Sequence, residues 1–169
     1  MQRPELRVQF AHGLESSPQG NKALLLAAHF TAITPSMDTR DFEQCVDVHA
    51  RALQTFRPHL LVGSSFGGAV AVALLMRRLY TGPTLLLAQA AVRYFSDAYL
   101  PEGVPVTLVH ARQDEVIPFA DSERLAQSGT PGLVRLLARD DDHALRGLCA
   151  SGELVSLVAA CCDAPTKRT

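Results

Sequence analysis

Residues 60–71, Leu-Leu-Val-Gly-Ser-Ser-Phe-Gly-Gly-Ala-Val-Ala, restrict the possible folds of this 169-residue chain more than any other stretch. An apolar run ends at Gly63, a serine follows two residues later, and two more glycines open an alanine-rich helical segment. A strand that turns straight into a helix brings two backbones together across the turn. Residues two before and two after the central serine must then do without a Cβ. Gly63 and Gly67 meet that demand around Ser65. The same crowding drives Ser65 toward a positive φ, which lifts its hydroxyl clear of the sheet. A Gly-x-Ser-x-Gly pattern arises by chance in roughly one chain in twenty of this length, so it counts only with its context. The other glycine-rich turn before a helix, a phosphate loop, needs a lysine after its last glycine, and none follows Gly67 or Gly68.

The context is an alternation of strands and helices. Leu6–Ala11, Ala32–Thr34, His59–Val62, Thr84–Ala88, Val104–His110 and Leu133–Leu137 read as strands. Between them, helices are expected from a Ser17 cap with Pro18 to about Phe30, from an Asp38 or Thr39 cap to Phe56, over 66–80, over 119–127, and from His143 or Ala144 to about Ala160. Helical crossovers between strands predict an α/β fold: a six-stranded parallel sheet with helices on both faces. Residues 1–162 read as one domain and 163–169 as a polar tail.

Ligands of such sheets sit beyond the carboxyl ends of the strands, and the chemistry-bearing residues fall there. His12-Gly13 follows the first strand, Ser65 the third, Asp114 the fifth and His143 the sixth. A serine hydroxyl attacks only when a base takes its proton. His143 is the candidate base, with Asp114 as the acid that holds its tautomer and stabilises the imidazolium. The order Ser, Asp, His is the α/β-hydrolase order rather than that of chymotrypsin or subtilisin. The acidic run Asp140–Asp142 reads as a solvated turn flanking the base, and His12 as a structural residue bonding the loop it begins. His110 stands close to Asp114 without reach to Ser65. The backbone N–H groups of Phe66, at a helix N-terminus, and Leu14, freed by Gly13, are the candidate oxyanion donors.

Composition narrows the alternatives. A net charge of −1 gives no electrostatic case for nucleic acid, and no apolar run reaches the ~20 residues of a membrane span. Residues 1–6 lead into a strand without the apolar core of a secretory signal. Cys45, Cys149, Cys161 and Cys162 lack Cys-x-x-Cys or zinc spacing. These features predict a cytoplasmic protein with free thiols, no metal and no cofactor.

His12-Gly13-Leu14-Glu15-Ser16-Ser17-Pro18, Gly63-Ser64-Ser65-Phe66-Gly67-Gly68, Asp114-Glu115-Val116 and His143-Ala144 together resemble the small bacterial YqiA-type esterases of the α/β-hydrolase superfamily. The resemblance extends over almost the whole chain. It implies a compact hydrolase fold without the first two strands of larger relatives, and esterase activity on short acyl chains. Leu145 departs from the pattern, standing where an aromatic is expected, and the 90–104 segment is short. Residues 92–103 leave no room for a lid domain, so the site should be open, with Val92, Tyr94, Phe95 and Tyr99 as candidate pocket walls beside Leu14. The expected partner is a small-molecule ester. Two alternatives share the same residues: a non-catalytic binding module of this fold, and an acyltransferase or thioesterase.

Overall fold

A computed structural model describes residues 5–163. Six strands form one parallel sheet in the order β2-β1-β3-β4-β5-β6. They are β1 (Arg7–Ala11), β2 (Thr31–Ile33), β3 (Leu60–Ser64), β4 (Thr84–Leu87), β5 (Val106–Ala111) and β6 (Val134–Arg139). The central strands β3, β4 and β5 are buried at every residue, which is why the β4 stretch reads as an apolar run rather than an alternating one.

Helices cover both faces. One core packs α2 (Phe42–Phe56), α3 (Phe66–Met76) and α5 (Phe119–Gln127) over Leu61, Leu86 and Leu108. The other packs α1 (Asn21–His29), α6 (Arg146–Ala150) and α7 (Glu153–Cys162) over Val8, Phe10, Val62 and Leu85. α3 is apolar all round and buried from Phe66 to Leu75, as a helix enclosed by a sheet and its neighbours must be. A short α4 (Ala91–Tyr94) fills the connection after β4, with no lid domain between β4 and β5.

Several boundaries differ from the sequence expectation. α1 begins after Gly20 rather than at Ser17. The Ser17 hydroxyl accepts the Gln19 N–H, and Gly20 N–H bonds the Ser17 carbonyl, so Ser17 closes a turn before the helix. The α2 cap is Asp41, whose side chain accepts the Gln44 N–H at 3.1 Å, because Asp38 is engaged with Arg40. α3 stops at Met76 rather than Tyr80, turned out by Arg78 at φ 56°. The expected last helix is two helices: Gly152, at φ 81°, breaks it. The N-terminal residues 1–4 and the tail from 164 onward, to which the signal and tail expectations belong, lie outside the described residues.

Candidate active site

The turn at Ser65 is as crowded as its glycines imply. A Cβ on Gly63 would come within 2.5 Å of the Gly67 carbonyl oxygen, and one on Gly67 within 1.9 Å of the Ala11 carbonyl oxygen. Ser65 has φ 52° and ψ −114°, a conformation that costs on the order of 1–3 kcal/mol and persists only because packing around it fixes the backbone. Its N–H donates to the Leu87 carbonyl and its own carbonyl accepts from Ala90, tying the turn to the end of β4.

From this turn the Ser65 Oγ lies 3.0 Å from Nε2 of His143. His143 Nδ1 lies 2.7 Å from Oδ2 of Asp114, so the ring donates to the carboxylate and offers Nε2 to the hydroxyl. The three residues, from the ends of β3, β5 and β6, meet at the carboxyl edge of the sheet. Asp114 has no exposed side-chain surface, whereas His143 is about a quarter exposed, at 24 %. Burial pushes the Asp114 carboxyl up. Hydrogen bonds from His143 and from the N–H groups of Ile117 and Val116 outweigh it, and hold the group below the usual carboxylate range. The carboxylate stays ionised opposite the imidazole.

The loop carrying His143 is built rather than merely solvated, which corrects the expectation for the acidic run. Asp141 accepts the N–H groups of Asp142, Gly147 and Leu148, capping the start of α6. Lys22 of α1 donates to the Ala144 carbonyl at 2.6 Å. Leu145, fully buried, adopts φ 52° to turn the chain into α6. Neither Lys22 nor the Asp141 cap was read from the sequence. The signal available was the i to i+6 and i+7 spacing of Asp141 from Gly147 and Leu148, which no helix periodicity reveals.

His12 Nδ1 is 2.8 Å from the Gly13 carbonyl, bonding the loop it begins. That loop lies against the elbow, since a Cβ on Gly13 would sit 3.5 Å from the Ser65 Cβ. Neither the Leu14 nor the Phe66 N–H donates to a backbone carbonyl among the described residues.

A second Ser-His-Asp cluster shares Asp114. His110 Nδ1 is 2.7 Å from Ser122 Oγ, and its Nε2 is 3.2 Å from Asp114 Oδ2. Ser122 and His110 are both wholly buried, so this hydroxyl is sealed from any substrate, whereas Ser65 is half-buried at the head of α3.

The pocket residues divide. Tyr94, Phe95 and Tyr99 line a groove of about 450 Å³ with Phe42, Ala73 and Met76, while Val92 does not border it. None of Ser65, Asp114 or His143 lines this groove, and Ala73 and Met76 lie about 12–16 Å along α3 from Ser65. Phe66, the residue after Ser65, packs edge-on against the groove residues Tyr94 and Phe42, with ring centroids 5.2 Å and 5.7 Å away. Exposed Leu14 and Val116, on the loops after β1 and β5, are the apolar side chains that flank the site's own loops. Among the described residues no cluster of three His, Cys, Asp or Glu side chains could hold a metal, and no helix is long and apolar enough to cross a membrane.

No family model and no curated protein matches the chain. Solved structures do. The chain is similar to a candidate hydrolase of the alpha/beta superfamily from Xanthomonas campestris pv. campestris, at 26% identity over 91% of this chain and 97% of that one, with a TM-score of 0.70. It is similar in fold to an esterase domain from a Rhodothermus marinus protein (17% identity, 95% and 88% covered, TM-score 0.67). The same holds for mouse alpha/beta hydrolase domain-containing protein 10 (16% identity, 94% and 98% covered, TM-score 0.70). The chain has the α/β-hydrolase fold, with a Ser-His-Asp geometry consistent with acyl-enzyme chemistry on esters.

Proposed function

We propose that the protein is a serine esterase of the YqiA type in which Ser65 is the nucleophile, His143 the general base and Asp114 its orienting acid. The reading is carried by one observation: a half-buried Ser65 hydroxyl 3.0 Å from an imidazole that is itself 2.7 Å from a buried, ionised carboxylate. His143 takes the hydroxyl proton as Oγ attacks the ester carbonyl. The resulting tetrahedral oxyanion is stabilised by the N–H groups of Phe66 and Leu14, the first aided by the α3 dipole. His143 then returns the proton to the leaving alkoxide, giving the acyl-enzyme and an alcohol. Water, deprotonated by the same imidazole, attacks the acyl carbon and releases the acid with Ser65 restored.

The absence of a lid between β4 and β5 favours small or short-chain esters, with Leu14 and Val116 at the mouth. Free thiols at Cys45, Cys149, Cys161 and Cys162 favour a reducing cytoplasm. Labelling with a fluorophosphonate probe, compared between the wild type and Ser65→Ala, tests the reading. Label that survives the substitution defeats it. Thioester hydrolysis uses the same residues, and a panel of paired oxygen and thiol esters separates the two.

A further inference from the structure

Three buried side-chain atoms have no hydrogen-bond partner among the described residues: Gln9 Oε1, His12 Nε2 and His49 Nε2. All three belong to one neighbourhood. Gln9 lies in β1, His12 directly follows that strand, and His49 lies on α2, joined to Gln9 by two hydrogen bonds. Gln9 and His49 have no exposed surface, and His12 has only 3 %. His12 also lies near enough for a charge on it to act on the His49 ring. Buried polar atoms are normally satisfied, so three orphans side by side point to one shared partner.

The bonds already made fix what that partner must offer. The His49 carbonyl only accepts, so the Gln9 atom 3.1 Å from it is the amide nitrogen, and Oε1 is the end left over. The same NH₂ group donates its second hydrogen to His49 Nδ1 at 3.0 Å, which places the hydrogen of the neutral His49 ring on Nε2. His12 Nδ1 donates to the Gly13 carbonyl, and its Nε2 is left over in turn. The partner must accept from His49 Nε2–H, donate to Gln9 Oε1, and meet His12 Nε2 in either role. A water molecule does all three, and roughly two to four hydrogen bonds are usual for a buried water. A divalent cation fits badly. His49 Nε2 has no lone pair to give while it holds its hydrogen, and no cluster of three His, Cys, Asp or Glu stands among the described residues.

We infer that one ordered water joins His49, Gln9 and His12, and that through it α2 steadies the ring that orients the Leu14 N–H. The second half rests on the reading of Ser65 and its oxyanion donors above. The Gly13 carbonyl and the Leu14 N–H belong to one planar peptide and point opposite ways. The carbonyl accepts from His12 Nδ1 and, at 3.3 Å, from the Ser16 N–H. Pinning it on that side fixes the Leu14 N–H on the other, where it bonds no backbone carbonyl among the described residues. His12 is thus a positioning residue that acts through a peptide plane. Held at Nδ1 alone, its ring could rock and take that plane with it.

The test uses the full ¹⁵N-labelled chain and its His49→Phe variant, which keeps a ring and the residue-49 carbonyl. In the wild type, two-bond ¹H–¹⁵N spectra should show His49 with its hydrogen on Nε2. That hydrogen should cross-relax with a water held long enough to tumble with the protein. A bare His49 Nε2, an Nε2–H without such a water, or one bonded straight to the His12 ring (read as a nitrogen–nitrogen coupling) overturns the site. Added Zn²⁺ should leave the ¹⁵N signals of both rings in place, and displacement of both Nε2 signals would mark a metal site and overturn the water. In ester hydrolysis, His49→Phe should lower kcat about three- to tenfold with KM held within about twofold, because the Leu14 N–H matters only as negative charge develops. Loss of a whole oxyanion donor costs about a hundredfold or more, and here the donor is loosened rather than removed. A folded His49→Phe with unaltered kcat refutes the positioning role. If that variant loses its cooperative melt, His12→Asn answers in the same readout. Its amide can replace the Nδ1–H to Gly13 while removing the arm to the water, so the same fall is expected and no change refutes. A wild type that neither turns over esters nor labels at Ser65 defeats the functional reading instead, and the water spectra, which need no turnover, still decide the site.

Discussion

His49 makes the fold sensitive to acid, and the effect can be isolated. The residue lies on α2 with no exposed surface, beneath β1. Gln9 Nε2 reaches both its Nδ1, at 3.0 Å, and its backbone carbonyl, at 3.1 Å, while its Nε2 has no partner among the described residues. Burial, with His12 nearby, lowers the His49 pKa from 6.5 to about 4. The folded state therefore favours the neutral ring. Between those values the unfolded chain binds a proton that the folded one refuses, so stability rises with pH across that window and is fully present only above the unfolded value. At 1.36 kcal/mol per unit the whole shift amounts to about 3 kcal/mol, of which about 2 is lost between pH 7 and pH 4.5. Urea titrations of the wild type and His49→Leu at those two pH values measure it. The variant leaves Gln9 its bond to the residue-49 carbonyl, and other groups contribute equally to both proteins. The wild type should lose about 2 kcal/mol more than the variant on acidification. Equal losses would show that His49 takes up its proton without cost, and would refute the argument.

Other outcomes follow from the site. Ser65→Ala and His143→Ala should each lower ester turnover by several orders of magnitude, and the double variant little further, because the residues act as a unit; additive losses in the steady-state rates would contradict this. Gly67→Ala should prevent folding, since its Cβ would meet the Ala11 carbonyl at 1.9 Å, whereas Gly103→Ala, with open space but φ 82°, should cost only about 1 kcal/mol in a thermal or urea melt. Asp141→Ala should cost about 1–2 kcal/mol through the lost cap of α6 and lower kcat by loosening the His143 loop, with both effects checked on one preparation.

The sheet was legible because its central strands are mostly apolar and Gly63 and Gly67 are spaced for one kind of turn. Ser65, Asp114 and His143 were legible because each follows a strand in an order that one topology brings together. The start of α1 was missed because Ser17 and Pro18 signal a turn as well as a helix. The helix break at Gly152 was missed because Cys149, Leu154 and Val158 keep an apolar rhythm across it. Which of Val92, Tyr94, Phe95 and Tyr99 share a groove was not legible, because the short α4 sets the direction of these side chains and spacing alone does not encode it. The hold of Lys22 on the His143 loop depends on a partner 122 residues away, beyond any local pattern.

The position of β6 has a consequence for how the protein comes into being. It is an edge strand that pairs with β5 alone, and the loop beyond it delivers the imidazole. The serine turn is synthesised well before the aspartate and histidine proposed to activate it. On the proposed reading of His143 as the base for Ser65, a chain ending before residue 143 would hold only an inert alcohol, and reactivity would arrive with the loop beyond the final strand.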